Sequence, residues 1–139
     1  MTITTRTRPL CKRKTFMMNL GRKIWVIPEG YIPDYSNGPA PEMTSHETAC
    51  ILNTGDGHAR IELTIFFEDN EPFGPYIINV PARRTLHMRF NDLTAPHSLP
   101  RNTNYSSVFI SDVPVIIQHS RLDSRQAENA LLSTIAYFE

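Results

Sequence analysis

The sequence predicts an all-β protein: one β-sandwich or jelly-roll-like domain of about eight short strands, built to associate with copies of itself. Runs of β-branched and aromatic residues recur along the chain, and eleven prolines fall largely in the connections, since proline cannot donate to a ladder. One stretch alternates throughout. Ile61, Leu63, Ile65 and Phe67 fall on one side, Arg60, Glu62, Thr64 and Phe66 on the other, the two-residue period of a strand with one buried face. The runs Val113–Ile117 and Ala130–Tyr137 are apolar with few charges. Strand edges must be paired, covered or charged, so both runs are expected in the protomer core and at a closed interface between copies.

In chain order, Lys23–Ile27 (KIWVI) reads as the first strand, stopped by Pro28, Glu29 and Gly30. Residues 28–44 hold four prolines, two glycines and two tyrosines and read as a long ordered loop. Thr48–Asn53 is the second strand, and Gly55-Asp56-Gly57 reads as the turn of a hairpin into the alternating strand. Glu68–Pro72 turns that strand and Tyr76–Val80 returns. Thr85, His87 and Arg89 then alternate with Leu86, Met88 and Phe90, giving another half-buried strand. Residues 91–104 read as loop. Ser107–Ile110 and Val113–Gln118 read as two separate runs, parted by Ser111-Asp112 with Pro114 close behind. Residues 126–138 leave helix and strand open. Ala127, Leu131 and Ile135 share a helical stripe, yet Ala130–Tyr137 also alternates. In a chain that is β elsewhere, strand is the expectation.

A chain of 139 residues, 40% hydrophobic and 20% charged, is globular in composition and can build one core, which excludes the disordered class. No apolar run reaches the length a membrane-spanning helix needs. Cys11 and Cys50 form neither a disulfide framework nor a metal-ligand spacing, so reduced thiols and a cytoplasmic location fit best. The net charge of zero hides an asymmetry. Residues 1–28 carry seven basic side chains and no acid, leaving seven bases against fourteen acids in the rest, a net of −7. The expected division is residues 1–18, a basic extension that is disordered or a leader upstream of a start at Met17 or Met18, and residues 19–139, the β domain. Such an arm, with the Arg83-Arg84 pair, is also the feature a nucleic-acid-binding regulator would use.

Enzyme chemistry finds no foothold. There is no GxSxG elbow and no phosphate-binding glycine loop. His46, His58, His87, His97 and His119 are scattered without metal-ligand spacing. The expectation is therefore a binding module with no catalytic residue, no cofactor and no metal. Two polar clusters stand out at strand ends: Ser45-His46-Glu47, and Gln118–Gln126 with one apolar member in nine residues. They read as a rim where a rigid sheet presents binding groups, with Arg121 or Arg125 facing an anion. Equally, they read as an internal network joining Arg121 or Arg125 to Asp123 or Glu47. Trp25, Tyr31 and Tyr35 form either a stacking platform or a clamp on the proline-rich loop.

Several segments resemble the sensory rhodopsin transducer family: WVIPEGYIP (Trp25–Pro33), SNGP (Ser36–Pro39), SHET-CILN with one variable position (Ser45–Asn53), VPARRTLHMRFND (Val80–Asp92) and QHSRLDSRQAENALLSTIAY (Gln118–Tyr137). The resemblance runs from about Asn19 to Tyr137 and leaves the first eighteen residues without a counterpart. It implies a β-sandwich protomer, a homotetramer in the cytoplasm, and a signalling role beside a membrane sensory rhodopsin. It also implies a small-molecule ligand such as a sugar, with DNA as a further suggestion. The candidate ligand groups it carries over are Trp25, Glu29, His46, Glu47, His119, Arg121, Asp123 and Arg125.

Overall fold

Chemistry-bearing residues of this chain are placed by one long strand that serves two sheets. The computed structural model describes residues 20–139; the basic extension expected at residues 1–18 lies outside the described residues. Eight strands occur in the order β1 (Arg22–Tyr31), β2 (His46–Asn53), β3 (Ala59–Phe67), β4 (Phe73–Val80), β5 (Arg84–Arg89), β6 (Asn104–Asp123), β7 (Ala130–Ile135) and β8 (Tyr137–Phe138), with a 3-10 turn at Phe90–Asp92 before β6. All pairings are antiparallel. The first sheet runs β4-β3-β6-β1-β8, and the second runs β5-β2-β6-β7. The all-β, two-sheet expectation holds.

β6 corrects the reading of two separate runs. Its 20 residues pair with β3 from Tyr105 to Ser111 and with β2 from Ile116 to Leu122, so one strand leaves the first sheet and enters the second. Pro114 sits in the crossing zone, where a residue without an N–H breaks no ladder bond. Asp112 closes the end of the first ladder, its Oδ1 accepting the Arg60 N–H at 2.8 Å. On the other side the chain enters β1 through Gly21, whose φ is +108° and whose added Cβ would lie 2.0 Å from the Val115 carbonyl oxygen. Only glycine fits there.

Gly55-Asp56-Gly57 is not a hairpin turn. β2 lies in the second sheet and β3 in the first, and they do not pair with each other. The tripeptide carries the chain from sheet to sheet, and Asn53, fully buried, fastens it. The Asn53 amide donates to the carbonyls of Gly57 at 2.8 Å, Val80 at 3.1 Å and Pro81 at 3.2 Å, while its Oδ1 accepts the Gly55 N–H. The hairpin expected between β3 and β4 does form.

Pro28 does not end β1. The register with β6 shifts between Ile27 and Gly30, so a bulge absorbs Pro28 and Glu29 and the strand continues to Tyr31. β8 reaches only Trp25 and Val26, leaving Pro28 with no ladder to break on that side. Gly30 lies flat on the Tyr105 ring, where a Cβ would come within 2.4 Å of the ring carbons. β2 and β4 likewise start earlier than read, at His46 and Phe73.

The C-terminal segment is strand, as expected. β7 pairs with the end of β6 from Gln118↔Ile135 to Asp123↔Ala130, and β8 crosses to β1. Ala136, buried between them, donates its N–H to the Ile117 carbonyl. Of the run Ala130–Tyr137 expected in the protomer core, Ala136 does pack there, but every residue of β7 and Tyr137 is exposed. Val115 and Ile117 do pack in the core, with Ile61, Leu63, Ile65, Phe90 and Phe109. No helix among the described residues is long and apolar enough to cross a membrane.

Candidate functional site

Register builds the site. In the β2–β6 ladder Glu47 stands opposite Arg121, and Ala49 opposite His119. Opposed residues, and residues two apart, share a face, so Glu47, His119 and Arg121 project inward together. The β1 bulge swings Glu29 over the same end. The two polar clusters of the sequence thus meet on adjacent strands.

Glu47 is the hub. Its side chain is 1% exposed, and a buried carboxylate is tolerated only when its oxygens are occupied. Oε2 accepts from His119 Nε2 at 2.5 Å, so the imidazole presents its Nε2–H. Oε1 accepts from Arg121 Nε at 2.6 Å and from the Tyr31 backbone N–H at 2.8 Å. The Arg121 Nη2 donates to both oxygens of Glu29, at 2.6 and 2.5 Å. Glu29 differs from Glu47 in one respect that decides what it can do: its side chain is 63% exposed. One guanidinium therefore joins a buried carboxylate to a solvent-facing one. Burial alone would lower the Arg121 pKa, but its hydrogen bonds to Glu29 and the charge of Glu47 outweigh it and hold the value above the ordinary range.

A second layer ties the loops to this end. Ser124 donates its N–H to Ser45 Oγ at 2.9 Å and its hydroxyl to the Met43 carbonyl, so the Ser45 hydroxyl donates to Ser124 Oγ at 3.1 Å. Asn37 donates from its backbone to the Ser124 carbonyl and from its side chain to the Arg125 carbonyl. Asn91 donates to the Ser45 carbonyl and accepts the Glu47 N–H. Arg125 Nη2 donates to Asp123 Oδ2 at 2.6 Å and the guanidinium lies 5.8 Å from the Tyr31 ring centre. Hydrogen bonds from Arg125 hold the Asp123 carboxyl below the usual carboxylate range.

Of the residues singled out in the sequence, Glu29, Glu47, His119 and Arg121 form one connected network, and Asp123 and Arg125 form a pair beside it. The internal-network reading describes Arg121 with Glu47 and Arg125 with Asp123; Glu29, outside both polar clusters, is the exposed member that joins through Arg121. His46 lies at the same end of β2, but its alternation with Glu47 turns it to the opposite face, where Nδ1–H donates to the Thr44 carbonyl at 2.7 Å. Trp25 belongs to the core. It is 2% exposed, its N–H donates to the Arg22 and Val115 carbonyls, and its ring packs 5.2 Å from Phe138. Tyr35 is exposed and Tyr31 half-buried, so the three aromatics form no joint platform. Arg83 faces Asp56 at 3.6 Å, and Arg84 folds back onto the Arg83 carbonyl.

Tyr105 is the residue the sequence did not single out. It is 4% exposed, its hydroxyl has no hydrogen-bond partner among the described residues, and burial followed by the charge of Glu47 pushes its pKa far up. Its inward position on β6 was the available signal. Above it a groove of about 390 Å³ is lined by Glu29, Phe66, Phe67, Glu68, Asn104 and Tyr105, among others. Among the described residues no group of three or more His, Cys, Asp or Glu side chains is placed to hold a metal ion.

Known proteins resemble this chain closely. A family model described as Anabaena sensory rhodopsin transducer matches residues 20–138. A solved structure titled Anabaena sensory rhodopsin transducer is 55% identical, with a TM-score of 0.68, over 73% of this chain and 98% of its own. A crystal structure of a Thermotoga maritima protein is 38% identical, with a TM-score of 0.74, over 86% of this chain and 96% of its own. No curated protein matches the sequence.

Proposed function

Because the chain belongs to the Anabaena sensory rhodopsin transducer family, we propose that it relays a signal on the cytoplasmic side by docking a membrane sensory rhodopsin, with Arg121 as the anion-receiving group and the chain acting as a homotetramer. The observation that carries the reading is the split loyalty of Arg121. Glu47, buried, fixes one side of its fork, and Glu29, exposed, occupies the other. A carboxylate or phosphate on a partner can replace Glu29 at near-equal charge balance, because a bidentate Arg accepts any anion of that geometry. Exchange at the rim leaves the Glu47 anchor undisturbed. The role is signalling by contact, in keeping with a transducer family, and requires no bond to be made or broken.

Calorimetry with the rhodopsin in lipid nanodiscs tests it. Arg121→Gln should weaken binding by roughly tenfold or more. Glu29→Gln should tighten it by about two- to fivefold, since a competing carboxylate is gone. Weaker binding by Glu29→Gln would show that Glu29 itself contacts the partner and would overturn the exchange. A second reading, a small ligand such as a sugar, is favoured by the groove of about 390 Å³ with Phe66, Phe67 and Tyr105 in its lining, a volume within the ordinary range for ligand pockets. Saturable thermal shifts with a sugar panel, lost in Phe66→Ala, are the expected result for that reading.

A further inference from the structure

The groove beside the Arg121 network owes its shape to the two strands that flank β6 in the first sheet. Phe66 of β3 stands opposite Ser106 of β6, and both alternate with buried neighbours, so both face outward. On the other side the register of β1 jumps from Ile27↔Ser107 to Gly30↔Tyr105, and the bulge carries Pro28 and Glu29 past Ser106. The Ser106 hydroxyl donates to the Pro28 carbonyl at 2.6 Å and fastens the bulge there. Between Phe66 and the bulge lies an open trough over the Asn104–Ser106 stretch of β6, with a volume of about 390 Å³.

The charge of this trough is one-sided. Glu29 and Glu68 belong to its lining, and no basic side chain does. Glu29 is matched by Arg121. Glu68 has no ion-pair partner among the described residues; Asn104 donates to its Oε1 at 2.9 Å, which holds the carboxylate at the rim and leaves Oε2 open. Phe66 is 42% exposed, a ring presented to solvent whose negative face attracts cations. Tyr105, in the lining as well, keeps a buried hydroxyl that the fold leaves without a partner among the described residues.

We infer that the groove binds a small organic cation, a protonated amine or guanidine on a short apolar or aromatic body, with the charge at Glu68 and the body against Phe66. The volume suits a small molecule. A metal ion does not fit, because no group of three or more His, Cys, Asp or Glu side chains is placed to hold one among the described residues. A neutral sugar would use the polar lining but leave the Glu68 charge unmatched, whereas a cation matches it at the rim of the trough. This inference rests on the reading of the groove as a ligand site and names the charge of the ligand; it does not depend on anion binding at Arg121.

Calorimetry on the full chain tests it with four probes: phenethylamine as the cation, phenethyl alcohol as its neutral counterpart, a panel of neutral sugars, and a tetralysine peptide. The variants are Glu68→Gln and Phe66→Ala. Both side chains are exposed, so both variants should keep the wild-type circular dichroism, and the Glu29–Arg121 ion pair stays intact. The expected result is saturable binding of phenethylamine, about tenfold weaker for the alcohol, and weakened by about fivefold or more in each variant and by added salt. Sugar binding lost in Phe66→Ala, with no preference for the amine over the alcohol, would overturn the cation and keep the groove as a ligand site. Binding of no small probe and no peptide would overturn both. Amine binding indifferent to both variants would move the cation elsewhere and overturn this assignment. Binding of tetralysine without binding of the amine would give the groove to a polypeptide and overturn the small ligand.

Discussion

Along β6, the half in the first sheet turns Ser107 and Ser111 inward among isoleucine and phenylalanine side chains, whereas the half in the second sheet turns His119 and Arg121 inward against Glu47. The same strand, with the same parity, buries polar groups by two opposed rules. The serine hydroxyls have no partner among the described residues. A lone buried hydroxyl costs about 1–3 kcal/mol, which a well-packed core can absorb. Charges cannot be left so. Glu47 has donors on both oxygens, and Arg121 has a carboxylate on each side. The serine half is a packing region carrying small penalties, while in the charged half none of the buried members, Glu47, His119 and Arg121, can be removed singly without stranding the others.

Variants can break that contrast, beginning with the hub. Glu47→Ala leaves Arg121 and His119 facing a buried void, and removing one partner of a buried ion pair costs about 3–5 kcal/mol; chemical denaturation should show a loss of that size. A loss below about 1 kcal/mol would mean that the network is solvated. The serine half should respond with the opposite sign. Ser107→Ala or Ser111→Ala removes an unpartnered hydroxyl and should leave stability unchanged or raise it by about 1 kcal/mol. A clear fall in melting temperature would reveal a partner, such as a buried water, that the hydroxyl serves. Glu29→Gln, at the exposed end, should cost less than about 1 kcal/mol, even as it changes partner affinity.

The smallest effect belongs to Asp123, whose folded pKa lies below its ordinary value because Arg125 hydrogen-bonds to it. A depressed carboxyl contributes stability above the unfolded pKa and loses it as pH falls through the folded one. Asp123→Asn should therefore narrow the stability difference from wild type only below about pH 4. A difference that persists unchanged into acid would point to packing and not to charge.

Legibility followed the same divide. The alternation of β3 could be read directly because its inward positions, Ile61, Leu63 and Ile65, are all apolar. β6 alternates just as strictly, at Tyr105, Ser107, Phe109, Ser111, Val115, Ile117 and His119. There the inward positions are polar at both ends, and Pro114 falls between, so the signal split into two runs. Turn chemistry marked Gly55-Asp56-Gly57 as a turn but could not say which sheet lay beyond it. That depends on Asn53, whose partners are 27 and 28 residues away in the chain for Val80 and Pro81. The polar clusters around Glu47 and Arg121 were legible as clusters. Their pairing needed the register, and Glu29 reached them through a bulge that Pro28 seemed to forbid. Trp25 carried a conspicuous side chain and turned out to be core. Tyr105 carried no conspicuous context and lies beneath the site.

One guanidinium, that of Arg121, is held by a buried carboxylate on one side and an exposed one on the other. Double-mutant cycles on unfolding free energy, pairing Arg121→Gln first with Glu47→Gln and then with Glu29→Gln, measure both grips on the same scale. The predicted result is a coupling of about 2–3 kcal/mol or more for Glu47–Arg121 and less than about 1 kcal/mol for Glu29–Arg121. Equal couplings, or a larger one for Glu29, would contradict the fixed anchor and exchangeable rim.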